Sequence, residues 1–73
     1  MSLPTSSNEY KTQKLIRLPK VIEITGKSRT RIYEDMKANR FPKAIKTGSR
    51  SVAWVEQEIA EWIEDKKKQR FQN

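Results

Sequence analysis

Residues 27–50 hold eight cations, Lys27, Arg29, Arg31, Lys37, Arg40, Lys43, Lys46 and Arg50, against two carboxylates, Glu34 and Asp35. Basic groups concentrated in this way are the footprint of a surface that meets phosphates. Arginine adds geometry to charge, because its planar fork matches the O6 and N7 acceptors of guanine and so distinguishes one base edge from another. Arg29 and Thr30 follow Ser28 directly and are the best candidates for such reading, with Tyr33 one helical turn further on. Threonine and tyrosine can meet thymine methyls or phosphates. Lys37, Lys46 and Arg50 would set affinity and register through charge.

The other residue types narrow the chemistry. Sixteen Lys and Arg oppose nine Asp and Glu, a net of +7. Residues 1–14 carry +1 and residues 55–73 carry −1, while residues 15–54 hold ten basic and three acidic side chains. A solvated basic surface is the ordinary reading of such an excess, but its confinement to one stretch favours a polyanion site, with nucleic acid as the partner and not a membrane. There is no Cys and no His. A disulfide framework is therefore excluded, and a zinc site would have only carboxylates to draw on. The commonest general base is missing, and no Ser or Lys sits beside a recognisable activating partner, so a binding module without a cofactor is expected rather than an enzyme. Glu56, Glu58, Glu61 and Glu64 could suggest acid–base or metal chemistry, but their spacing fits the solvated face of an amphipathic helix. The longest apolar run, Val52-Ala53-Trp54-Val55, is too short for a membrane span or a secretory signal, and a cytoplasmic location is expected.

These side chains need a scaffold, and 73 residues allow one small domain. Residues 1–14 are polar apart from Leu3 and Tyr10 and read as a disordered tail, its first residues compatible with a cloning remnant and set aside. The domain is expected over residues 15–70, with residues 71–73 fraying. Leu15-Ile16-Arg17 is a short extended lead. Pro19 is suited to the first turn of a helix that Thr25-Gly26 closes. Ser28 is a good N-cap for a second helix, and the short Gly-containing join suggests a helix-turn-helix. In that helix Ile32 and Met36 share the packing face, with Ser28 and Asn39 beside them, while Thr30, Tyr33, Glu34 and Lys37 point away. Pro42 is the expected stop.

Ala44-Ile45-Lys46 and Ser51-Val52-Ala53-Trp54 then flank Thr47-Gly48-Ser49-Arg50, the pattern of a two-stranded hairpin with a basic tip. Val55, Ile59, Trp62 and Ile63 recur at helical spacing and define a third helix, acidic at its start and basic from Lys66 to Arg70. Trp54 and Trp62 lie in this apolar pattern and are expected in the core; Phe71 either docks or frays. The fold class is mostly α with a small β-hairpin wing, three helices plus two strands.

The run Arg17-Leu18-Pro19, Val21, Thr25-Gly26-Lys27-Ser28-Arg29-Thr30-Arg31-Ile32-Tyr33, Phe41-Pro42-Lys43 and Gly48-Ser49-Arg50-Ser51-Val52-Ala53-Trp54, with Glu58 and Trp62 beyond, resembles the AlpA family of prophage regulators. The resemblance covers residues 15–64. It implies a compact winged helix-turn-helix of the excisionase-like or MerR-like kind, with the second helix in the major groove of double-stranded DNA and the wing along the backbone or minor groove. Ser28, Arg29, Thr30 and Tyr33 match the family's recognition-helix motif, and Gly48, Ser49 and Arg50 its wing turn. Lys27, just before that motif, and Arg31, within its span, complete the expected DNA-binding set with Lys37 and Lys46. Two positions depart from the family pattern: Lys27 stands where an apolar residue is usual, and Arg40 where Gly commonly precedes the Phe-Pro step.

The implied activity is that of a phage-type transcriptional regulator. An alternative is an excisionase-type factor that bends DNA for site-specific recombination. A reading of a different class is a protein-interaction module, in which the last helix and charged tail engage an integrase or RNA polymerase. A lone domain of this size makes few base contacts, so specificity calls for repeated sites, cooperative neighbours or DNA bending.

Overall fold

The computed structural model describes residues 13–70. The expected tail, apart from Gln13 and Lys14, and the expected fray with Phe71 lie outside those residues. The order of elements is β1 (Leu15–Ile16), α1 (Leu18–Thr25), α2 (Arg29–Lys37), β2 (Ile45–Lys46), β3 (Val52–Val55) and α3 (Glu56–Gln69).

Helix α1 starts one residue before Pro19, so the proline occupies its first turn, where a missing N–H costs nothing. It ends at Gly26, whose φ of 76° is the left-handed conformation a C-cap favours, and the Gly26 N–H donates to Ile22 O at 2.8 Å. Two residues on, Ser28 caps α2: its Oγ accepts from the Arg31 N–H at 3.1 Å. The two helices are thus joined by residues 26–28 alone.

Helix α2 is shorter than expected. It stops at Lys37, well before Pro42, because Asn39 adopts a φ of 62°. The Asn39 N–H donates to Met36 O at 3.1 Å and the Arg40 N–H to Asp35 O at 2.7 Å. This is the Schellman pattern with asparagine at the left-handed position. Asn39 therefore turns the chain and is exposed, instead of lying on the packing face.

The sheet has three antiparallel strands in the order β1-β3-β2. The hairpin of β2 and β3 is present, with Ile45 opposite Ala53 and Lys46 opposite Val52. The extended lead joins it: Leu15 pairs with Val55 and Ile16 with Trp54. Too short to announce itself by alternation, β1 exists because it completes the free edge of β3 and buries Ile16. Val55 ends β3 and caps α3, whose first N–H, that of Glu56, donates to Lys14 O at 2.7 Å.

The core gathers Ile16, Val21, Ile32, Phe41, Trp54 and Ile59, taken from all three helices, from β1 and β3, and from the segment between α2 and β2. Trp54 is fully buried, and its indole N–H donates to Pro42 O at 3.1 Å, so the apolar ring is packed without an orphaned donor. Trp62 is half-buried, packed edge-on to Phe41 with ring centres 5.0 Å apart, and donates to Arg40 O. Both indoles thereby pin the segment between α2 and β2 to the body.

Candidate nucleic-acid interface

The outward side of α2 carries most of the expected site. Thr30, Glu34 and Lys37 are exposed and Tyr33 is 36% exposed, a consequence of burying Ile32 on the opposite side. Arg29 precedes Tyr33 by one turn, and its guanidinium lies 5.9 Å from the centre of the tyrosine ring, within cation–π range. Tyr33 in turn meets Trp54 edge-on, with ring centres 6.3 Å apart. A path of contacting groups therefore runs from a surface arginine to Trp54, the largest fully buried side chain of the described residues. Such support lowers the conformational entropy Arg29 would lose on binding.

An open depression of about 570 Å³ lies on this side, lined by Arg29, Thr30, Tyr33, Met36, Lys37 and Lys43, with Glu34. Met36 and Lys43 were not among the residues expected from sequence. Lys43 belongs to the cationic cluster, which is its signal in the sequence; Met36 falls on the packing face by helical spacing, and at the edge of that face its long side chain serves both sides.

Lys46, Ser49 and Arg50 lie apart from that depression. Lys46 is exposed in β2, and Ser49 and Arg50 are exposed in the turn that the Thr47 N–H closes by donating to Ser51 O at 2.9 Å. Ser28 is exposed with its hydroxyl engaged as the cap, beside the N-terminal turn of α2. That terminus presents backbone N–H groups and the positive end of the helix dipole.

Lys27 occupies a different environment from the others. Its ammonium lies 2.6 Å from Asp35 Oδ2, and its side chain is 18% exposed. It also sits 5.8 Å from the centre of the Phe41 ring and 5.4 Å from that of Trp62. The methylene stem thus fills the position where the resemblance leads one to expect an apolar residue, and Asp35 neutralises the charge that came with it. Asp35 is the buried acid of the described residues, and it also meets Arg31 Nε at 3.8 Å and Arg40 at 3.4 Å. The Lys27 hydrogen bond holds the Asp35 carboxyl below the ordinary aspartate range; burial opposes this, and the charges of Lys27 and Arg31 and the hydrogen bond from Arg40 add to it. Sequence reasoning missed this hub, although Asp35 follows the apolar Ile32 at i, i+3, a spacing that places it on the same inward side of α2.

The carboxylates Glu58, Glu61 and Glu64 are exposed on α3, and Glu64 pairs with Lys67 at 3.1 Å. No helix of the described residues is long and apolar enough to cross a membrane.

A tight pair of helices, a third helix and an antiparallel sheet whose hairpin projects a basic turn define a winged helix-turn-helix module. Residues 14–67 match the model of the prophage CP4-57 regulatory protein (AlpA) family, and the chain belongs to that family. It is 40% identical over 62 residues to the DNA-binding transcriptional activator AlpA of Escherichia coli (strain K12), an alignment covering 77% of this chain and 89% of that protein. It is also 33% identical over 63 residues to the uncharacterized protein ORF88 of Enterobacteria phage P4, covering 86% of this chain and 67% of that one.

Proposed function

We propose that this chain is a sequence-specific double-stranded DNA-binding protein acting as a transcriptional regulator of the phage type, in the cytoplasm and without enzymatic activity. The observation that carries the reading is the outward side of α2, where Arg29 is held against Tyr33 among further cations. An α-helix fits the major groove of B-form DNA, and residues near its N-terminus meet base edges first. Arg29 forks guanine O6 and N7, and Thr30 contacts the neighbouring base. Ser28 and the N-terminal amides of α2 hold a phosphate. Arg31, Lys37, Lys46, Ser49 and Arg50 meet the backbone and fix the register, the last three from the wing. Lys27 contributes by holding α2 in place through Asp35. The name of the Escherichia coli relative, a DNA-binding transcriptional activator, agrees with this assignment.

Equilibrium binding to a duplex and to its scrambled counterpart at several salt concentrations tests the proposal. If about five phosphates are neutralised, log K falls against log salt with a slope of roughly −4 to −5. A flat salt response, or no binding at low salt, would overturn the nucleic-acid assignment in favour of a protein-interaction module.

A further inference from the structure

The depression on α2 is not a purely cationic surface. Thr30, Tyr33 and Met36 bring a methyl group, an aromatic ring and a thioether to it, and Arg29, Lys37 and Lys43 bring three positive charges against the one carboxylate of Glu34. Phosphates require only the cations. An apolar concavity flanked by cations fits an occupant that is itself a small apolar group on a polyanion. In the major groove the base edges present hydrogen-bond donors and acceptors, with one apolar exception, the methyl group at C5 of thymine. A cytosine methylated at C5 presents the same group at the same place.

The apolar surface is also held in shape before any ligand arrives. Tyr33 is braced by Trp54, which is fully buried, and Met36 is half-buried against the core cluster. A methyl group entering here meets surface that need not be ordered first. Resting on the reading of α2 as the recognition element, we infer that Thr30, Tyr33 and Met36 form a specificity site for a pyrimidine C5 methyl group in duplex DNA. Arg29 then selects the adjacent guanine, and the methyl site sets the neighbouring position.

The experiment uses the full chain to enrich duplexes from a random-sequence pool. Each thymine of an enriched duplex is then replaced singly by uracil, which removes the methyl and leaves the pairing edge intact. In parallel, each cytosine is replaced by 5-methylcytosine. One or two positions are expected where uracil weakens binding about threefold to tenfold, the scale for transferring a single methyl-sized group. If uracil is silent but 5-methylcytosine strengthens binding at a defined position, the occupant is the methylated cytosine. In Tyr33→Ala the loss at those positions shrinks to less than about twofold. Thr30→Ser, an exposed change that removes only one methyl from the site, should reduce it in the same direction even if Tyr33→Ala fails to fold. Sequence enrichment with no sensitivity to either replacement overturns the methyl site and leaves the DNA-binding reading standing. Absence of binding to any duplex overturns both.

Discussion

Lys27 and Asp35 form a 2.6 Å ion pair between the turn that precedes α2 and the last turn of α2 itself, with both side chains largely withdrawn from water. The pair closes one side of the helix-turn-helix. It explains how a lysine is accommodated at a packing position: the stem is buried beside Phe41 and Trp62, and a carboxylate meets its head.

Removing one partner should cost more than replacing both. Asp35→Leu strands an ammonium between two aromatic rings, whereas Lys27→Met leaves Asp35 with Arg31 and Arg40 still in reach. Asp35→Leu should therefore lower the melting temperature more than Lys27→Met, and the double variant should recover part of the loss, as expected when a buried pair is exchanged for apolar groups of similar volume. Thermal melts of the four proteins form a cycle, and simple additivity in the double variant would show that the two residues do not act as a pair.

Stability should also depend on pH through Asp35. The folded state binds the carboxylate form, chiefly through Lys27, so the native pKa lies below the unfolded one. A group shifted in this direction contributes stability at neutral pH, and that contribution is lost as pH falls below about 4, through the unfolded value and then the folded one. Urea denaturation from pH 7 to pH 2 should show a steeper acid loss for the wild type than for Asp35→Asn. Parallel curves for the two proteins would place the acid sensitivity elsewhere.

The two tryptophans should differ in degree. Trp54 is fully buried at the meeting of all three helices, and Trp54→Ala should cost about 3–5 kcal/mol, enough to leave so small a domain largely unfolded. Trp62 is half-buried and closes the Lys27 side of the structure, so Trp62→Ala should cost about half as much and leave a folded fraction measurable by circular dichroism. Native melting of Trp62→Ala with lost DNA binding would instead make Trp62 a contact residue.

Local chemistry explains which of these features were legible in the sequence. Gly26 and Ser28 mark helix boundaries through interactions within a few residues, and both ends of the α1–α2 join follow from them. The hairpin is equally local, announced by Ala44-Ile45-Lys46 and Ser51-Val52-Ala53-Trp54 on either side of Gly48. Strand β1 depends instead on pairing with residues about forty positions away, as the register of Leu15 with Val55 shows, and a two-residue strand has no period of its own. Pro42 is the more familiar helix breaker, but Asn39, tolerant of the left-handed conformation, ends α2 first. The cationic composition of the α2 face is legible in the sequence, but its apolar component is not, since helical spacing places Met36 on the packing side alone while its long side chain reaches both. Asp35 was hidden by its charge, because its partner Lys27 comes from outside the helix.

The sharpest division of labour is expected between Arg29 and Arg50. Arg29 stands in the first turn of α2, braced by Tyr33, at a depression that faces the proposed ligand, while Arg50 is exposed in the turn of the wing. From the helix a guanidinium can reach a base edge; from the wing turn it meets mainly the backbone, where every sequence looks alike. Arg29→Ala should therefore cost about 1–3 kcal/mol on the specific site and little on scrambled DNA, and Arg29→Lys should recover little of it because an ammonium lacks the fork. Arg50→Ala should weaken both duplexes almost equally and reduce the salt slope by about one. Tyr33→Leu keeps apolar volume but removes the ring beneath Arg29, so it should lower specificity in the same direction as Arg29→Ala and by a smaller amount. Binding isotherms on cognate and scrambled duplexes across a salt series measure all of these together, and equal losses on both duplexes for Arg29→Ala would mean that α2 does not read the bases.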